Sequence, residues 1–105
     1  MKINFKATNL ELDPKLRNYI QEKMDMVEKF LGDIPVIQCD FEVDLITHRH
    51  NKGKIYRAEA NLSVPGSLLR VEKTEKNIYK AVDKVKDHLA RVIKKHKDKK
   101  IAKRR

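Results

Sequence analysis

The apolar residues of the first third of the chain change from a two-residue spacing to a helical one. Residues 3–7 alternate between apolar and polar, which predicts a short strand with one buried face. Asp13 and Pro14 are typical of a helix start, because aspartate accepts from free backbone N–H groups and proline loses no hydrogen bond there. The apolar positions that follow share one helical face: Leu16, Ile20, Met24, Val27 and Leu31. With Gly32 as a stop signal, we expect a helix over residues 13–31.

Three further strands are predicted downstream. The segment from Ile37 to Leu45 alternates strictly, and residues 56–64 repeat the pattern after a polar loop at residues 48–53. The pair Pro65-Gly66 predicts a tight turn into a short fourth strand over residues 68–73. Each of these strands has one apolar face, so together they predict a sheet that is covered on one side and hydrated on the other.

A second helix closes the predicted fold. Thr74 is the expected N-cap, and the helix should end near residue 96. Its apolar stripe consists of Ile78, Val82, Val85, Leu89, Val92, Ile93 and His96. The order β-α-β-β-β-α predicts an α+β sandwich, a four-stranded, largely antiparallel sheet with two helices on one face. We expect one domain over residues 1–97 and a flexible basic tail over residues 98–105.

Positive charge is concentrated in the last third of the chain. The formal net charge is +10; residues 1–74 hold 12 Lys+Arg and 11 Asp+Glu, whereas residues 75–105 hold 13 and 4. Cations near phosphates release counterions, so this distribution favours a nucleic-acid partner. No apolar stretch is long enough to span a membrane, and the last helix lacks the aromatic apolar face that membrane binding requires. The single cysteine, Cys39, fits a reducing compartment, so we expect a cytoplasmic location and no membrane partner.

The second helix carries a row of cations on its predicted solvent side. On a helical wheel the row falls between about 200° and 260° from the apolar stripe. Its members are Lys80, Lys84, Arg91 and Lys95, with His88 beside them and with Lys76 and Lys94 widening the band. Like charges at this spacing repel each other, so an uncompensated row indicates that a partner supplies the anions. The alternative is a lysine-rich face that serves only solubility.

The first helix adds Arg17, Lys23 and Lys29 to the candidate RNA-binding residues. Lys23 falls inside the apolar arc, and two compatible interpretations exist. Its stem packs while its ammonium reaches solvent, or its ammonium lies between the helices and extends the basic surface. Most aromatic residues fall at core positions. Tyr79 lies off the stripe, where a contact at the helix–sheet edge is favoured over base stacking. Binding is therefore expected to depend on phosphates and RNA shape more than on sequence.

No residue pattern supports catalysis or a cofactor. The three glycines are widely separated, so nothing matches a phosphate-cradling loop. His48 and His50 share a polar loop while Cys39 faces the core, which leaves too few converging ligands for a metal site. No nucleophile is paired with a base on any predicted element. We expect a protein that is not an enzyme and that has neither a cofactor nor a small-molecule substrate.

Two segments resemble the family of bacterial ribosome hibernation-promoting factors and ribosome-associated inhibitors. One is Leu12-Asp13-Pro14-Lys15-Leu16-Arg17-Asn18-Tyr19-Ile20, followed by Lys23 and Glu28-Lys29-Phe30. The other is Ile78-Tyr79-Lys80-Ala81-Val82-Asp83, followed by Leu89-Ala90-Arg91-Val92-Ile93-Lys94-Lys95-His96-Lys97. The resemblance covers residues 1–97 and implies the fold described above. It also implies binding to 16S rRNA in the decoding channel of the small ribosomal subunit and to the 70S ribosome. There the domain would block mRNA and tRNA and inhibit translation under stress.

The same resemblance implies which residues contact rRNA. The matching basic positions are Arg17, Lys23, Lys29, Arg91, Lys94 and Lys95. The chain departs from the family at His88 and Ala90, where lysine and glutamate are common, and His88 would make affinity sensitive to pH. The chain resembles a short form, or the N-terminal domain of a long form. The main alternative is a general double-stranded RNA-binding module, and the others are an enzyme acting on RNA and a basic protein-interaction domain.

Overall fold

A computed structural model describes residues 1–46 and 53–103 of the chain, the last four of these by their backbone alone. Within these residues the elements follow the predicted order β-α-β-β-β-α, which confirms the α+β class. They are β1 (Asn4–Thr8), α1 (Pro14–Leu31), β2 (Gln38–Ile46), β3 (Ile55–Val64), β4 (Ser67–Glu75) and α2 (Ile78–Lys103).

The strands form one mixed sheet in the order β1-β2-β3-β4. β1 runs parallel to β2, with Phe5 opposite Phe41, and α1 supplies the crossover that a parallel pair requires. β2 and β3 pair antiparallel, as do β3 and β4. The prediction of a largely antiparallel sheet is therefore confirmed.

The hydrophobic core lies between the helices and one face of the sheet. α2 packs on β3 and β4, and α1 packs beside α2. The buried sheet residues are Cys39, Phe41, Val43, Ala58, Ala60, Leu62, Val64, Leu69 and Val71. The predicted inward side chains are wrong at two places, since Ala7 and Ile37 are exposed. Ala7 lies on the edge strand, and Ile37 precedes β2.

The boundaries of α1 follow the sequence signals. Asp13 Oδ1 accepts from the backbone N–H of Leu16 at 2.8 Å, so the predicted N-cap is confirmed. Gly32 ends the helix at φ 60°, and its N–H donates to the carbonyl of Lys29. Glycine adopts this left-handed φ without the steric penalty of a side chain.

Both ends of α2 differ from the prediction. Thr74 does not cap the helix, because β4 continues to Glu75 and Thr74 pairs with Arg57 in the sheet. Asn77 is the cap instead: its Oδ1 accepts from the N–H groups of Tyr79 at 2.8 Å and Lys80 at 3.3 Å. The helix continues past residue 96 to Lys103, since no glycine or proline interrupts it and lysine and alanine are good helix formers. The domain boundary at residue 97 stays a prediction.

Candidate nucleic-acid interface

The cations of α2 lie on the side of the helix that faces away from the sheet. The buried side of α2 is made of Ala81, Val82, Val85, Leu89 and Ile93. The exposed side carries the predicted row together with Lys94, that is Lys80, Lys84, Arg91, Lys94 and Lys95. The 3.6-residue period of the helix separates the two sets, so burial of one set fixes the exposure of the other.

Most of the row has no carboxylate partner within the protein. Among the side chains that the structure describes, the salt bridges of α2 cations involve Lys84 with Glu75 and Lys86 with Asp87. None involves Lys80, Arg91, Lys94 or Lys95. The prediction of an uncompensated row is therefore wrong at Lys84. Glu75 ends β4 beside α2, and its hydrogen bond from Lys84 lowers the pKa of Glu75.

One cation of this surface, Lys73, is not among the residues predicted from the sequence. Lys73 of β4 lines an open cleft of about 310 Å³ together with Lys84, Asp87 and Arg91. A usable signal exists in the strand alternation, because residue 73 has the same parity as the buried Leu69 and Val71. That parity places Lys73 on the helix side of the sheet. The basic surface therefore includes a strand residue as well as helix residues.

His88 lies partly buried within these cations. Burial lowers the pKa of His88, and the charges of Lys73, Arg91 and Lys95 lower it further. Its Nδ1 is buried without a hydrogen-bond partner in the described part of the chain. Burial is therefore the main reason why the neutral imidazole is favoured, and the positive charges of β4 and α2 add to it.

The three candidate RNA-binding residues of α1 lie in different surroundings. Arg17 is exposed, and its guanidinium carbon lies 4.7 Å from the ring centroid of Phe5, beside the edge strand. Lys29 is exposed in the last turn, near the negative end of the helix dipole. Lys23 instead reaches α2, where its Nζ lies 3.5 Å from Asp83 Oδ1. Of the three, the structure places Lys23 in contact with the helix that carries the row.

A polar junction surrounds Lys23 between the two helices. Tyr19 donates to Asp83 Oδ1 at 2.5 Å, and this bond is the main reason why the pKa of Tyr19 is raised to about 12. The ring of Tyr79 meets Tyr19 of α1 edge-on, with centroids 4.9 Å apart, and the contact of Tyr79 at the helix–sheet edge stays a prediction. Both interpretations of Lys23 hold in part, because its stem is largely covered and its ammonium lies between the helices. That ammonium is, however, paired.

The open face of the sheet carries charges that are paired with one another. Arg57 lies among four carboxylates: it forms an ion pair with Glu42, contacts Glu59 at 2.9 Å, and lies 3.8 Å from Glu72 and 3.9 Å from Asp44. Burial opposes the charged form of Glu59, but hydrogen bonds from Asn61 and Arg70 keep the pKa of Glu59 below its usual value. These charges therefore stabilise the sheet from its hydrated side.

Other chemistries have little support in the residues that the structure covers. No cluster of three or more His, Cys, Asp or Glu side chains that could hold a metal occurs there, and His48 and His50 lie outside the described residues. Burial raises the pKa of the Cys39 thiol to about 12, so this thiol is not a nucleophile at neutral pH. Neither described helix is apolar over a length that would cross a bilayer.

Comparison with known proteins gives concordant matches in sequence and in structure. The family described as "Sigma 54 modulation protein / S30EA ribosomal protein" matches residues 3–101. A ribosome hibernation promoting factor of Klebsiella oxytoca is 30% identical over 99 residues, covering 94% of this chain and 96% of that protein. A ribosome hibernation promotion factor of Deinococcus radiodurans is 27% identical over 89 residues, covering 85% of this chain and 45% of that protein. The solved N-terminal domain of Thermus thermophilus Protein Y superposes with a TM-score of 0.76 at 28% identity, covering 91% of this chain and 99% of that domain.

Proposed function

Since the chain belongs to the Sigma 54 modulation protein / S30EA ribosomal protein family, we propose that it is a ribosome hibernation factor that acts in the cytoplasm. In this proposal the factor binds the ribosome and regulates translation, which agrees with relatives whose names describe them as promoting ribosome hibernation. In the finer proposal, it binds 16S rRNA in the decoding channel of the small subunit, both in the free subunit and in the 70S ribosome. From there it excludes mRNA and tRNA by steric overlap.

One observation carries the RNA-binding part of the proposal. Lys80, Arg91, Lys94 and Lys95 are exposed along one side of α2 without a carboxylate partner among the described side chains. Arg91 and Lys95 stand at i and i+4, about one helical turn apart, with Lys94 beside them, and Lys80 extends the exposed charge more than three turns toward the start of α2. The like charges repel one another in the free protein, so their neutralisation by phosphates favours binding.

The other candidate residues have different roles in this proposal. Lys84 contributes to the same surface but exchanges Glu75 for phosphate, which reduces its net gain. His88 contributes mainly when it is protonated. Arg17 and Lys29 extend the contact area along α1, and Lys23 acts from the junction with α2. Phosphate contacts fix the register of the domain on rRNA, and its rigid core supplies the steric block. No cofactor or small-molecule substrate is part of this mechanism.

The alternative is a general double-stranded RNA-binding module. Such a module would bind a free RNA duplex as tightly as it binds a ribosome. The distribution of charge argues against it, because the cations extend along the length of α2 rather than clustering at its first turn. An enzyme acting on RNA has no comparable support, since the candidate interface contains neither a metal cluster nor an activated nucleophile.

Co-sedimentation with purified 30S subunits and 70S ribosomes at rising salt concentration tests the proposal. We expect saturable, near-stoichiometric binding that tRNA and mRNA reduce by competition. Competition is the decisive readout, because a ligand that binds outside the decoding channel would leave it unchanged. Non-saturating binding, or equal affinity for any RNA duplex, would replace the proposal with the general module. Binding that survives nuclease treatment would point instead to a protein partner.

A further inference from the structure

An apolar groove lies between the last turn of α1 and the C-terminal half of α2. Its volume is about 380 Å³, within the ~300–1,000 Å³ range of small-molecule sites. The lining residues are Phe30, Ala90, Arg91, Ile93, Lys94 and Lys97. The sequence placed most aromatic residues in the core, yet Phe30 is 48% exposed. Exposed apolar area at Phe30 is unfavourable in water, and a bound apolar surface would remove that free-energy cost.

Three features shape this groove. Phe30 lines it from α1, and Ala90 and the largely buried Ile93 line it from α2. Ala90 is partly exposed, and its small side chain leaves room in the groove. The two α2 residues lie three positions apart, and residues at that spacing share one helical face. The result is an apolar slot lined by an aromatic ring from α1 and by aliphatic atoms from α2.

The rim of the groove is cationic. Arg91 and Lys94 are exposed at its edge and have no carboxylate partner among the described side chains. Lys97 reaches across to α1, where its Nζ lies 3.5 Å from the position that a Cβ on Gly32 would occupy. The negative end of the α1 dipole favours a cation at that point. Three positive charges therefore surround an apolar slot, and this combination complements a planar apolar group that is attached to an anion.

We propose that this groove holds one unpaired nucleobase of the RNA, stacked on Phe30, with the adjoining phosphates on Arg91, Lys94 and Lys97. A nucleotide has the required chemistry, because every base has a flat π-face and every linkage carries a negative charge. The inference rests on the proposed function and deepens it: the phosphate contacts of α2 become continuous with one base contact on α1. Binding is then not purely a matter of shape and charge, since the groove needs a single-stranded nucleotide.

The probe is a six-nucleotide RNA backbone with 2-aminopurine as its single base and abasic sugars at the other positions. A fully abasic hexamer has the same charge but no base. We expect the wild-type protein to bind the single-base hexamer about tenfold more tightly than the abasic one, the change that one stacked base implies. Bound 2-aminopurine should show the fluorescence quenching of a stacked base.

Two groove variants and two controls separate stacking from charge. Phe30→Leu removes the ring and Ala90→Leu fills part of the groove, so each should abolish the preference for the single-base hexamer. Phe30→Tyr keeps the ring and should retain it. Leu68→Ala changes another exposed apolar residue, 60% exposed on β4, and should leave both affinities unchanged. All variants should bind the abasic hexamer like the wild type.

The outcomes distinguish this inference from the function on which it rests. Equal affinity of the wild type for the two hexamers, or equal losses on both for Phe30→Leu, would overturn the base contact. Competition by free adenosine monophosphate at the same concentration as the hexamer would also overturn it, because the occupant would then be a free nucleotide. If the hexamer results hold but the protein does not sediment with ribosomes, the groove stands and the ribosomal proposal fails. If the protein binds ribosomes saturably but does not prefer the single-base hexamer, the ribosomal proposal stands and the base contact fails.

Discussion

The outer side of α2 and the open face of the sheet are both rich in charge, but they differ in how that charge is neutralised. On the sheet, Arg57 is surrounded by carboxylates from its own strand and from both neighbouring strands, and Arg70 pairs with Glu59 at 3.1 Å. On the helix, Arg91 and Lys95 have no such partners among the described residues. The cations of the open face have carboxylate partners within the protein, whereas Arg91 and Lys95 are left for an external anion to neutralise.

The difference shows that the number of charges on a surface does not identify a binding site. Cross-strand pairs bring opposite charges within about 5 Å of one another, so a sheet of alternating sign neutralises itself. On a helix with cations at i and i+4 the neighbouring charges are not neutralised, because they have the same sign and repel one another. Pairing, which depends on three-dimensional neighbours, therefore separates a structural charge cluster from a candidate RNA interface more clearly than composition does.

Reversing two charges on each surface gives the largest expected contrast. Arg91→Glu with Lys95→Glu should weaken binding to 30S subunits about 100-fold or more, because two phosphate contacts are lost and two repulsions are introduced. Lys6→Glu with Arg70→Glu makes the same change in net charge on the open face. That variant should keep its ribosome affinity within about threefold, since these cations are already paired, with Glu42 and Glu59. Co-sedimentation at several salt concentrations measures both.

The salt dependence sharpens the same experiment. The helix variant should flatten the slope of log K against log salt by about 0.7–0.9 per lost contact, whereas the sheet variant should leave the slope unchanged. Urea unfolding shows whether both remain folded. Equal losses of affinity in the two variants would mean that net charge alone drives association, and the distinction between the two faces would fail.

Arg57→Ala should lower the stability of the protein while leaving its ribosome affinity nearly unchanged. Removing the guanidinium leaves Glu42, Asp44, Glu59 and Glu72 near one another without their shared cation. Because Arg57 is only 15% exposed, the expected loss of unfolding free energy lies between the values for surface and buried pairs, at about 2 kcal/mol. Urea denaturation measures this loss. Ribosome affinity should stay within about twofold, and a large loss of affinity in a folded variant would place the open face in the interface.

The sequence predicted the fold because its signals are local. Alternation in β2 and β3, the Asp13 cap and the Gly32 stop each depend on residues that are near one another in the chain. The errors occur where distant residues decide the outcome. Thr74 has a favourable side chain for a cap, but pairing with Arg57 keeps it in β4. A backbone hydrogen bond to another strand overrides a local preference of similar size.

The candidate site was predictable in its location but not in its state of pairing. Helical periodicity alone places Lys80, Arg91 and Lys95 on the solvent side. It could not show that Glu75 pairs with Lys84 or that Asp83 pairs with Lys23, because these contacts depend on how the helices pack. It also could not show that Phe30 remains half exposed, since burial at the end of α1 depends on the neighbouring α2.

Asp83→Asn tests whether the ion pair with Asp83 reduces the contribution of Lys23 to RNA binding. The change removes the partner of Lys23 and should raise RNA affinity about threefold, while Glu11→Gln, which makes the same charge change away from Lys23, should have little effect. The loss of the charged acceptor of Tyr19 should cost about 1 kcal/mol of unfolding free energy. The pKa of Tyr19, raised to about 12 in the wild type, should fall towards the ordinary tyrosine value of 10.0, which ultraviolet titration detects. Unchanged affinity in a folded Asp83→Asn protein would show that Lys23 does not face RNA.

In the wild type, this raised pKa also fixes the sign of a pH effect on stability. Tyr19 loses its proton at lower pH in the unfolded chain, near 10.0, than in the folded protein, near 12. The contribution of Tyr19 to the unfolding free energy is therefore constant below pH 10. It decreases from pH 10 to about pH 12, because the tyrosine of the unfolded chain ionises first. The Asp83→Asn variant should show a smaller decrease over the same interval.

The smallest expected effect concerns His88, which lies in the uncompensated surface. Burial and the cations Lys73, Arg91 and Lys95 hold its pKa below 6.5 in the free protein. RNA phosphates would raise that pKa, so the complex takes up a proton and affinity should increase about twofold between pH 8 and pH 6. His88→Asn has no titrating ring and should lose this increase, which fluorescence anisotropy with labelled RNA can measure. The same dependence of affinity on pH in the wild type and in His88→Asn would place His88 away from phosphate, because its protonation would then not be coupled to binding.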